Sequence, residues 1–334
     1  MPHNPRGPLS RSHVPRSGNT WAIVLAAGEG SRLHSLTTTE AGIAIPKQYC
    51  SLRGGPSLLR EALQRAETVA SPASRCIVVA RHHKRWWAAE LAAESESNII
   101  VQPGNRGTAI GILLPLLHIM ARDPDARVVL LPSDHHVRNE LHLAAALQEA
   151  VRKLEARRDH VLLLGISPEE ADPGLGYIVP GGLDRPGVWT VSRFVEKPNA
   201  PLARVLIDAG ALWNAFIVAA HAQALLQVLA QRFPRVVAEM RSVIERNQCT
   251  GDAPDAVIDL YRGLPDIDFS RQILQHTAPV LRVLRVNHCG WTDLGTPQRV
   301  AEALRRLPRL DDTDDDGLPR RSGLLSLATQ YARQ

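Results

Sequence analysis

Two basic residues in a glycine-rich stretch of this 334-residue chain could carry phosphate chemistry. Arg32 and Lys47 follow the glycines of LAAGEGSRL (residues 25–33, the glycine loop), which comes after the apolar run WAIVLA at 21–26. Small residues let backbone N–H groups approach an anion, while arginine offers forked donors and lysine a point charge. Taken alone, the stretch fits equally well a surface loop with ordinary basic residues.

The glycine loop does not match two familiar phosphate-binding loops. A dinucleotide fingerprint needs a third glycine, but Leu33 stands at that position after Gly28 and Gly30. A Walker loop needs Gly-Lys followed by serine or threonine, and no such sequence follows the strand. Any phosphate bound here would therefore need a different type of loop.

Two aspartates follow apolar strands that are far apart in the sequence. Asp134 comes directly after RVVLLPS, and Asp293 follows the strand VLRVLRV after a short connection. Ligand-binding residues of open α/β sheets collect at the carboxyl ends of strands, where a carboxylate can hold Mg²⁺. The structural alternatives are that Asp134 caps a turn and that Asp293 is a favourable acid at a helix N-terminus.

The histidines and cysteines do not predict a zinc centre. His82 and His83 are adjacent, as are His135 and His136, but neighbours in a strand point to opposite faces and no third ligand has metal-site spacing. The four cysteines, at positions 50, 76, 249 and 289, include no CxxC pair. We therefore expect buried thiols rather than a zinc ribbon or disulfides.

The composition is that of an ordinary globular protein, with 44% hydrophobic and 22% charged residues. The formal charge of +5 would suit nucleic-acid binding, but part of it lies in a Pro/Ser/Arg-rich leader and no nucleic-acid module accompanies it. Neither a secretory signal nor an apolar run of about 18 residues is found. We therefore expect a cytoplasmic protein with neither nucleic-acid nor membrane partners.

Strand-like and helix-like segments alternate in the first half of the chain. The strands are predicted at 21–26, 76–80, 98–102, 127–134 and 160–166. The helices are predicted at 57–70, 82–95, 107–123 and 139–158. This alternation predicts an α/β fold with a mostly parallel sheet and helices on both faces.

The second half of the chain is mixed. Its predicted elements are strands at 176–180, 188–196, 211–220 and 280–286, a helix between the second and third of these strands, a helical block at about 221–262 and a last helix at 296–306. We expect one α/β domain at 20–308, after a disordered leader at 1–19. An acidic and then basic run indicates a flexible tail at 309–334.

Together, the loop motifs resemble those of the sugar-1-phosphate nucleotidylyltransferases, and most of all the mannose-1-phosphate guanylyltransferase group. AAGEGSRL and PKQY are followed, in the family's order, by QPGNRGTA, LPSDHHV, FVEKP, LWNAF and WTDLGTPQR. Each match is weak or moderate, whereas the ordered set is strong and covers about residues 20–305. The resemblance implies a Rossmann-like, GT-A-type nucleotidyltransferase sheet.

The resemblance also implies roles for the charged residues. Arg32 and Lys47 would act on the triphosphate and Lys197 on the sugar phosphate, while Asp134 and Asp293 would share one Mg²⁺. The nucleotide would contact Ala26, Ala27, Gly28, Gly30, Ser31, Gln102, Gly107, Thr108 and Ala109. The sugar phosphate would contact Gly176, Tyr177, Glu196 and Asn214. Because Gly107 and Thr108 open a helix, we expect their N–H groups to be free.

The implied reaction is Mg²⁺-dependent transfer of a nucleotidyl group from GTP to mannose 1-phosphate, with release of pyrophosphate. A phosphate monoester has a second pKa of about 6, so its attacking oxygen needs no general base near neutrality. Two alternatives stay open: another nucleoside triphosphate or sugar 1-phosphate, and a non-catalytic regulator that binds nucleotide sugars. A homo-oligomer is compatible with the sequence.

Two departures from the family pattern bear on the substrate. Phe216 ends LWNAF where the guanylyltransferase group usually has glycine, and a phenyl ring there would narrow or reshape the sugar pocket. The glycine loop also continues through SLTTT at 35–39, where similar proteins often have a shorter connection to PKQ. The sugar is therefore less firmly predicted than the type of reaction.

Overall fold

A nine-stranded sheet forms the centre of the computed structural model, which describes residues 19–247, 255–307 and 325–327. The strands of these described ranges are β1 Thr20–Ala26, β2 Arg75–Ala80, β3 Ile99–Gln102, β4 Arg127–Pro132, β5 His136–Val137, β6 Val161–Ile166, β7 Gly176–Arg185, β8 Val188–Glu196, β9 Leu212–His221, β10 Leu281–Val286 and β11 Trp291–Thr292. The two short strands, β5 and β11, pair with each other in a separate antiparallel ribbon.

The strand order of the large sheet is β3-β2-β1-β4-β9-β6-β10-β8-β7. β1 pairs in parallel with β2 and β4, whereas β9 is antiparallel to its neighbours β4 and β6 and, at its start, to β7. β8 is antiparallel to β10 and to β7, so it and β9 are the two described strands of this sheet that oppose the rest. The predicted mostly parallel sheet with a mixed second half is confirmed.

Helices cover both faces of this sheet. The structure describes α1 His34–Thr37, α2 Leu58–Glu67, α3 Lys84–Glu90, α4 Gly107–Arg122, α5 Glu140–Leu154, α6 Ala200–Asp208, α7 Ala222–Arg232, α8 Pro234–Asn247, α9 Asp255–Gly263, α10 Phe269–Gln272 and α11 Pro297–Arg306. α4, α7, α8 and α9 pack on one face, and α2, α3, α5 and α6 pack on the other.

The central strands supply side chains to two separate cores. In β1, Ile23 belongs to the core under α4, and its neighbour Val24 belongs to the core under α2; both are fully buried. Successive strand residues point to opposite faces, so a strand covered on both sides must be apolar throughout. This is why the apolar runs of the sequence predict these strands to within a few residues.

The predicted helical block at about 221–262 is divided into three helices. Pro234 begins α8 two residues after α7 ends at Arg232, because proline fits the first turn of a helix but cannot continue an existing one. The ribbon of β5 and β11 and the four-residue helix α10 have no counterpart in the predicted elements. Such short elements lack a recognisable periodicity.

One stretch of the predicted flexible tail is ordered, which corrects the prediction for residues 325–327. The Ser51 N–H donates to the Leu325 carbonyl at 3.0 Å, and the Ser51 carbonyl accepts from the Leu327 N–H at 2.9 Å. Leu327 is fully buried, so apolar contact and backbone pairing both hold this stretch in place. The rest of the tail and residues 1–18 lie outside the described residues.

The cysteines agree with the prediction wherever they are described. Cys50, Cys76 and Cys289 are buried free thiols, and burial raises the pKa of Cys50 to about 12; Cys249 lies outside the described residues. Within the described ranges, none of the helices combines the length and the apolar character needed to cross a bilayer.

Candidate active site

A cavity of about 410 Å³ opens where β1 and β4 end. Leu25 and Ala27 line it from the end of β1, and Pro132 and Ser133 line it from the end of β4. The chain connects β1 to β2 and β3 on one side and places β4 on the other, so the cavity lies at a topological switch point. Open α/β sheets bind ligands at such points, and this volume is in the usual range for ligand sites.

Most of the predicted site residues line this cavity: Ala27, Gly28, Arg32, Gln102, Gly107, Thr108, Asp134, Gly176, Glu196, Lys197, Asn214 and Asp293. The predicted residues that do not line it are Ala26, Gly30, Ser31, Lys47, Ala109 and Tyr177. The fold therefore brings together residues from every motif, and it places Lys47 behind the cavity wall.

Lys47 joins the two loops that carry the aspartates. Its side chain is 5% exposed, and Nζ lies 2.9 Å from Oδ2 of Asp134. Nζ also donates to the backbone carbonyls of Asp293, at 2.6 Å, and Leu294, at 3.4 Å. Burial alone would raise the pKa of Asp134, but the charges of Lys47 and His135 and the hydrogen bond from Lys47 together outweigh burial, and the pKa falls to about 2. Asp134 is therefore a carboxylate at neutral pH.

Asp293 is paired with an arginine that the motif analysis did not single out. Arg299 lies between two carboxylates, with Nη1 2.5 Å from Oδ1 of Asp293 and Nη2 2.5 Å from Oδ2 of Asp172. Burial would raise the pKa of Asp293, but the Arg299 charge opposes burial and lowers the pKa. The three side chains are 12–16% exposed, so their charges depend on one another.

Replacing Arg299 with leucine is expected to destabilise the fold by about 3 to 5 kcal/mol, because two largely buried carboxylates lose their partner. Urea unfolding at neutral pH measures this loss. Arg306→Leu in the same helix is the control: Arg306 is 52% exposed and pairs with Glu169, so we expect a loss below about 1 kcal/mol. Equal losses in the two variants would contradict the burial argument.

The two aspartates form a donor set suited to a hard divalent cation. Both are ionised, and Lys47 and Arg299 each contact only one oxygen of their aspartate through a side-chain ion pair. Mg²⁺ prefers one or two carboxylates together with phosphate oxygens and water. The donor chemistry of Asp134 and Asp293 therefore fits the metal that the family resemblance implies.

Glu196 and Lys197 also line the cavity, at and just after the end of β8. Lys197 Nζ is 3.6 Å from Oε1 of Glu196, and the Lys197 side chain is 43% exposed. Burial raises the pKa of Glu196, with the Lys197 charge acting against it. Gly176 packs beside Glu196: a Cβ at that position would lie 2.6 Å from Oε2 of Glu196, so a larger residue would displace this carboxylate.

Asn214 and Tyr177 complete this side of the site in different ways. Asn214 lines the cavity, and its Oδ1 accepts from the Phe216 N–H at 3.1 Å. Tyr177 is fully buried, and its hydroxyl both donates to and accepts from the backbone of Asp172. Tyr177 thus supports the wall from behind instead of facing the cavity.

Three non-glycine residues in the described ranges have left-handed backbone conformations, and all three lie at this site. Lys197 has a φ of 48°, Phe216 of 57° and Leu294 of 46°. Lys197 and Phe216 line the cavity, and Leu294 follows Asp293. This conformation costs about 1 to 2 kcal/mol per non-glycine residue, and such strain is typical of functional sites.

The start of α4 corrects one prediction. The Gly107 N–H is not free, because it donates to Oδ1 of Asn105 at 2.9 Å. The Thr108 hydroxyl is also engaged, since it accepts from the Phe269 N–H at 2.8 Å. A Cβ at Gly107 would collide with the Ile267 carbonyl, so close backbone packing explains this glycine. Sequence spacing could not reveal these partners.

The PKQY motif fixes the course of the glycine loop. Gln48 Nε2 donates to the carbonyls of Ala26, at 3.0 Å, and Gly28, at 2.9 Å. The Tyr49 hydroxyl donates to the same Ala26 carbonyl at 3.1 Å. These side chains are buried, so the motif holds the loop from inside the protein. The Ala26 carbonyl is thus engaged by two side chains of the motif.

Two polar residues of the cavity wall, Asp268 and Ser270, lie outside every motif; four more, Gln48, Asn105, Ser133 and His135, lie within the motifs but are not among the predicted site residues. Ser270 Oγ accepts from Nδ2 of Asn214 at 3.4 Å, and Asp268 caps α10 by accepting from the Arg271 N–H. The only local signal is the N-cap pattern of DFSR, which indicates a helix start and no ligand.

Carboxylates and basic residues at the switch point of an α/β sheet are chemically suited to a metal ion and to phosphate groups. Comparison with known families makes this more specific, because the model of the nucleotidyl transferase family matches residues 21–309. The chain belongs to the nucleotidyl transferase family, which confirms the family predicted from the motifs.

Individual relatives agree with this family. Mannose-1-phosphate guanylyltransferase 2 of Escherichia coli O157:H7 is 30% identical over 301 residues, covering 83% of this chain and 58% of the relative. Alginate biosynthesis protein AlgA of Pseudomonas syringae pv. tomato is 28% identical over 278 residues, covering 82% and 56%. The chain thus spans less than two thirds of the length of these curated relatives.

Solved structures support the same fold. The crystal structure described as mannose-1-phosphate geranyltransferase from Thermus thermophilus superposes with a TM-score of 0.72 at 25% identity, covering 87% of this chain and 80% of that one. The structure of UDP-glucose pyrophosphorylase complexed with UDP-glucose shares the fold at a TM-score of 0.55 and 15% identity.

Proposed function

We propose that the protein transfers a nucleotidyl group from GTP to mannose 1-phosphate, with Mg²⁺, to give GDP-mannose and pyrophosphate. The observation that carries the proposal is that Asp134 and Asp293, from distant parts of the chain, line one cavity with Arg32 and Lys197. Family membership supports the type of reaction. The name of the relative from E. coli O157:H7 supports the choice of substrates.

In this proposal the side chains bring two anions together and stabilise the group that leaves. Asp134 and Asp293 would hold the Mg²⁺, which when bound neutralises phosphate charge. Arg32 binds oxygens of the triphosphate, and Lys197 binds the phosphate of the sugar. Alignment of the two phosphates and stabilisation of the departing pyrophosphate account for the rate increase. The attacking phosphate oxygen is already anionic, because its pKa is about 6.

Lys47 has a supporting part in the same mechanism. Its Nζ is committed to Asp134 and to the Asp293 carbonyl. It therefore holds the two proposed Mg²⁺ ligands at a fixed separation and keeps Asp134 ionised. A direct contact between Lys47 and the triphosphate, which the family resemblance implies, would require one of these bonds to be exchanged.

The two substrates would occupy opposite walls of the cavity. We place the nucleotide against Ala27, Gly28, Gln102, Gly107 and Thr108, with Ala26, Gly30, Ser31 and Ala109 behind them. We place the sugar phosphate against Gly176, Glu196 and Asn214, with Tyr177 behind them. A cytoplasmic location and assembly into a homo-oligomer belong to the same proposal.

Pyrophosphate release from a grid of five nucleoside triphosphates and several sugar 1-phosphates tests the proposal. We expect release with GTP and mannose 1-phosphate in the presence of Mg²⁺, and none from the Asp134→Asn control. Release confined to another pair would keep the mechanism and change the substrates. Nucleotide binding without any release would favour the non-catalytic regulator.

Phe216 is the residue expected to bias the choice of sugar, because its ring lines the cavity beside Asn214 and packs edge-on against Phe269. Both Phe216→Gly and Phe216→Ala should shift kcat/KM by about tenfold towards a bulkier sugar 1-phosphate. At a φ of 57°, the glycine variant should be more stable than the alanine variant by about 1 kcal/mol. Kinetics with paired sugars and urea unfolding measure the two effects; an unchanged sugar preference would contradict the assignment.

A further inference from the structure

Outside the cavity, a loop glutamate meets two adjacent histidines. Nε2 of His82 lies 3.0 Å from Oε1 of Glu29, and Nε2 of His83 lies 3.4 Å from Oε2 of the same carboxylate. One ligand atom from each of the three residues lies within 4.8 Å of the other two. We propose that Glu29, His82 and His83 form a binding site for a divalent transition-metal ion of the zinc class.

The expectation that adjacent histidines diverge is corrected at this pair. His82 and His83 lie in a 3-10 turn, Arg81–His83, and not in a strand, so their rings can face one partner. The ring centroids are 4.1 Å apart. The third ligand comes from the glycine loop, so no local spacing of residues predicts it.

The distances suit a metal of this class. Zinc bonds to imidazole nitrogen and carboxylate oxygen at about 2.0 to 2.2 Å, which places neighbouring ligand atoms about 3.4 Å apart in a tetrahedron. The two glutamate contacts, at 3.0 and 3.4 Å, are already close to this separation. Two imidazoles and one carboxylate favour zinc, nickel or copper over magnesium.

His83 is held in place for such a role. It is 2% exposed and packs at its edge against Tyr49 and Trp86, with ring centroids 5.9 and 5.5 Å away. The side chains of Glu29 and His82 are 45% and 52% exposed, which leaves a side open for water as the fourth ligand.

Occupancy would tie the glycine loop to the start of α3. Glu29 stands between Gly28, which lines the cavity, and Gly30, which has a φ of 64°. A metal bridging Glu29 to the two histidines would therefore restrict the part of the loop that the nucleotide approaches. The ion would act as a separate ligand from the Mg²⁺ proposed at Asp134 and Asp293.

Titration of the full-length protein with Co²⁺ or Zn²⁺, without nucleotide or sugar phosphate, tests the proposal. We expect one equivalent of Co²⁺ to bind with a visible absorption band and Zn²⁺ to raise the melting temperature. Glu29→Gln and His82→Ala, both at exposed positions, should raise the dissociation constant at least about tenfold. His142→Ala, an exposed histidine of α5, is the matched control and should bind as the wild type does.

Two results would overturn the proposal. One is wild-type protein that binds no Co²⁺ or Zn²⁺ in the titration. The other is equal binding by wild type, Glu29→Gln and His82→Ala, which would place the ion elsewhere. Because no substrate is present, neither result depends on whether the protein transfers nucleotidyl groups.

Discussion

Replacing Asp293 with alanine is expected to lower kcat about 1000-fold, or by about 4 kcal/mol of barrier, if the proposed nucleotidyl transfer is the reaction. The variant removes one of two carboxylates proposed to hold Mg²⁺. The fold should persist, because Arg299 keeps Asp172 as its partner at 2.5 Å. Steady-state pyrophosphate release and urea unfolding measure the two quantities on the same preparation.

Asp172→Asn is the matched control for this variant. Asp172 is the other carboxylate on Arg299, yet it does not line the large cavity. Its amide counterpart can still accept the Gly174 N–H that Oδ1 accepts at 2.7 Å. We expect Asp172→Asn to retain activity within about threefold. Its loss of unfolding free energy should be similar to that of Asp293→Ala, and both losses should lie in the usual range for single substitutions. Wild-type activity in Asp293→Ala would remove the metal assignment.

Replacing Lys47 with methionine is expected to lower kcat at least 100-fold. The free energy of unfolding should fall by about 2 to 3 kcal/mol, which is less than for a fully buried ion pair because Asp134 is 38% exposed. Methionine fills the same space but leaves Asp134 and the carbonyl of Asp293 without their donor. Lys153→Met, which removes a helical pair with Glu149, is the control and should cost less than about 1 kcal/mol. Similar losses in both variants would contradict the assignment.

The pH dependence of the free energy of unfolding is a second measurement that tests the role of Lys47. The folded pKa of Asp134, about 2, lies below its ordinary value of 3.8, so the pair stabilises the protein above about pH 4. That contribution is lost as pH falls through the folded pKa. The stability difference between wild type and Lys47→Met should therefore shrink as pH falls from about 5 towards 2. A constant difference would show that Lys47 acts without Asp134.

The parts of the fold that could be predicted are those whose signal is local. The central strands are buried on both faces, which makes them continuous apolar runs that a sequence reveals directly. The site motifs follow these strands, so correct strands place Asp134 and Asp293 at one edge of the sheet. The partners of long side chains were not predictable, because several rotatable bonds separate the charge of Lys47 or Arg299 from its backbone.

Contacts and backbone conformations that depend on tertiary structure were also not predicted. Glu29 lies 53 positions before His82, and no periodicity links the two. The left-handed conformation of Phe216 likewise gives no sign in the sequence, although the glycine that the family usually has there is consistent with it. Each of these features depends on how distant segments pack, and that packing is encoded by the whole chain.

The position of β9 has a consequence for biosynthesis. It lies between β4 and β6, pairing Arg127 with His221 and Val161 with Ala220, although both neighbours precede it in the sequence. On the ribosome, β4 and β6 therefore emerge with open edges that stay unpaired until residues 212–221 follow. Open edges recruit other chains, and partly synthesised chains with exposed edges are prone to aggregate. Translation through β9 thus closes the gap between β4 and β6, whereas the other edge of β6 stays open until β10 follows at residues 281–286.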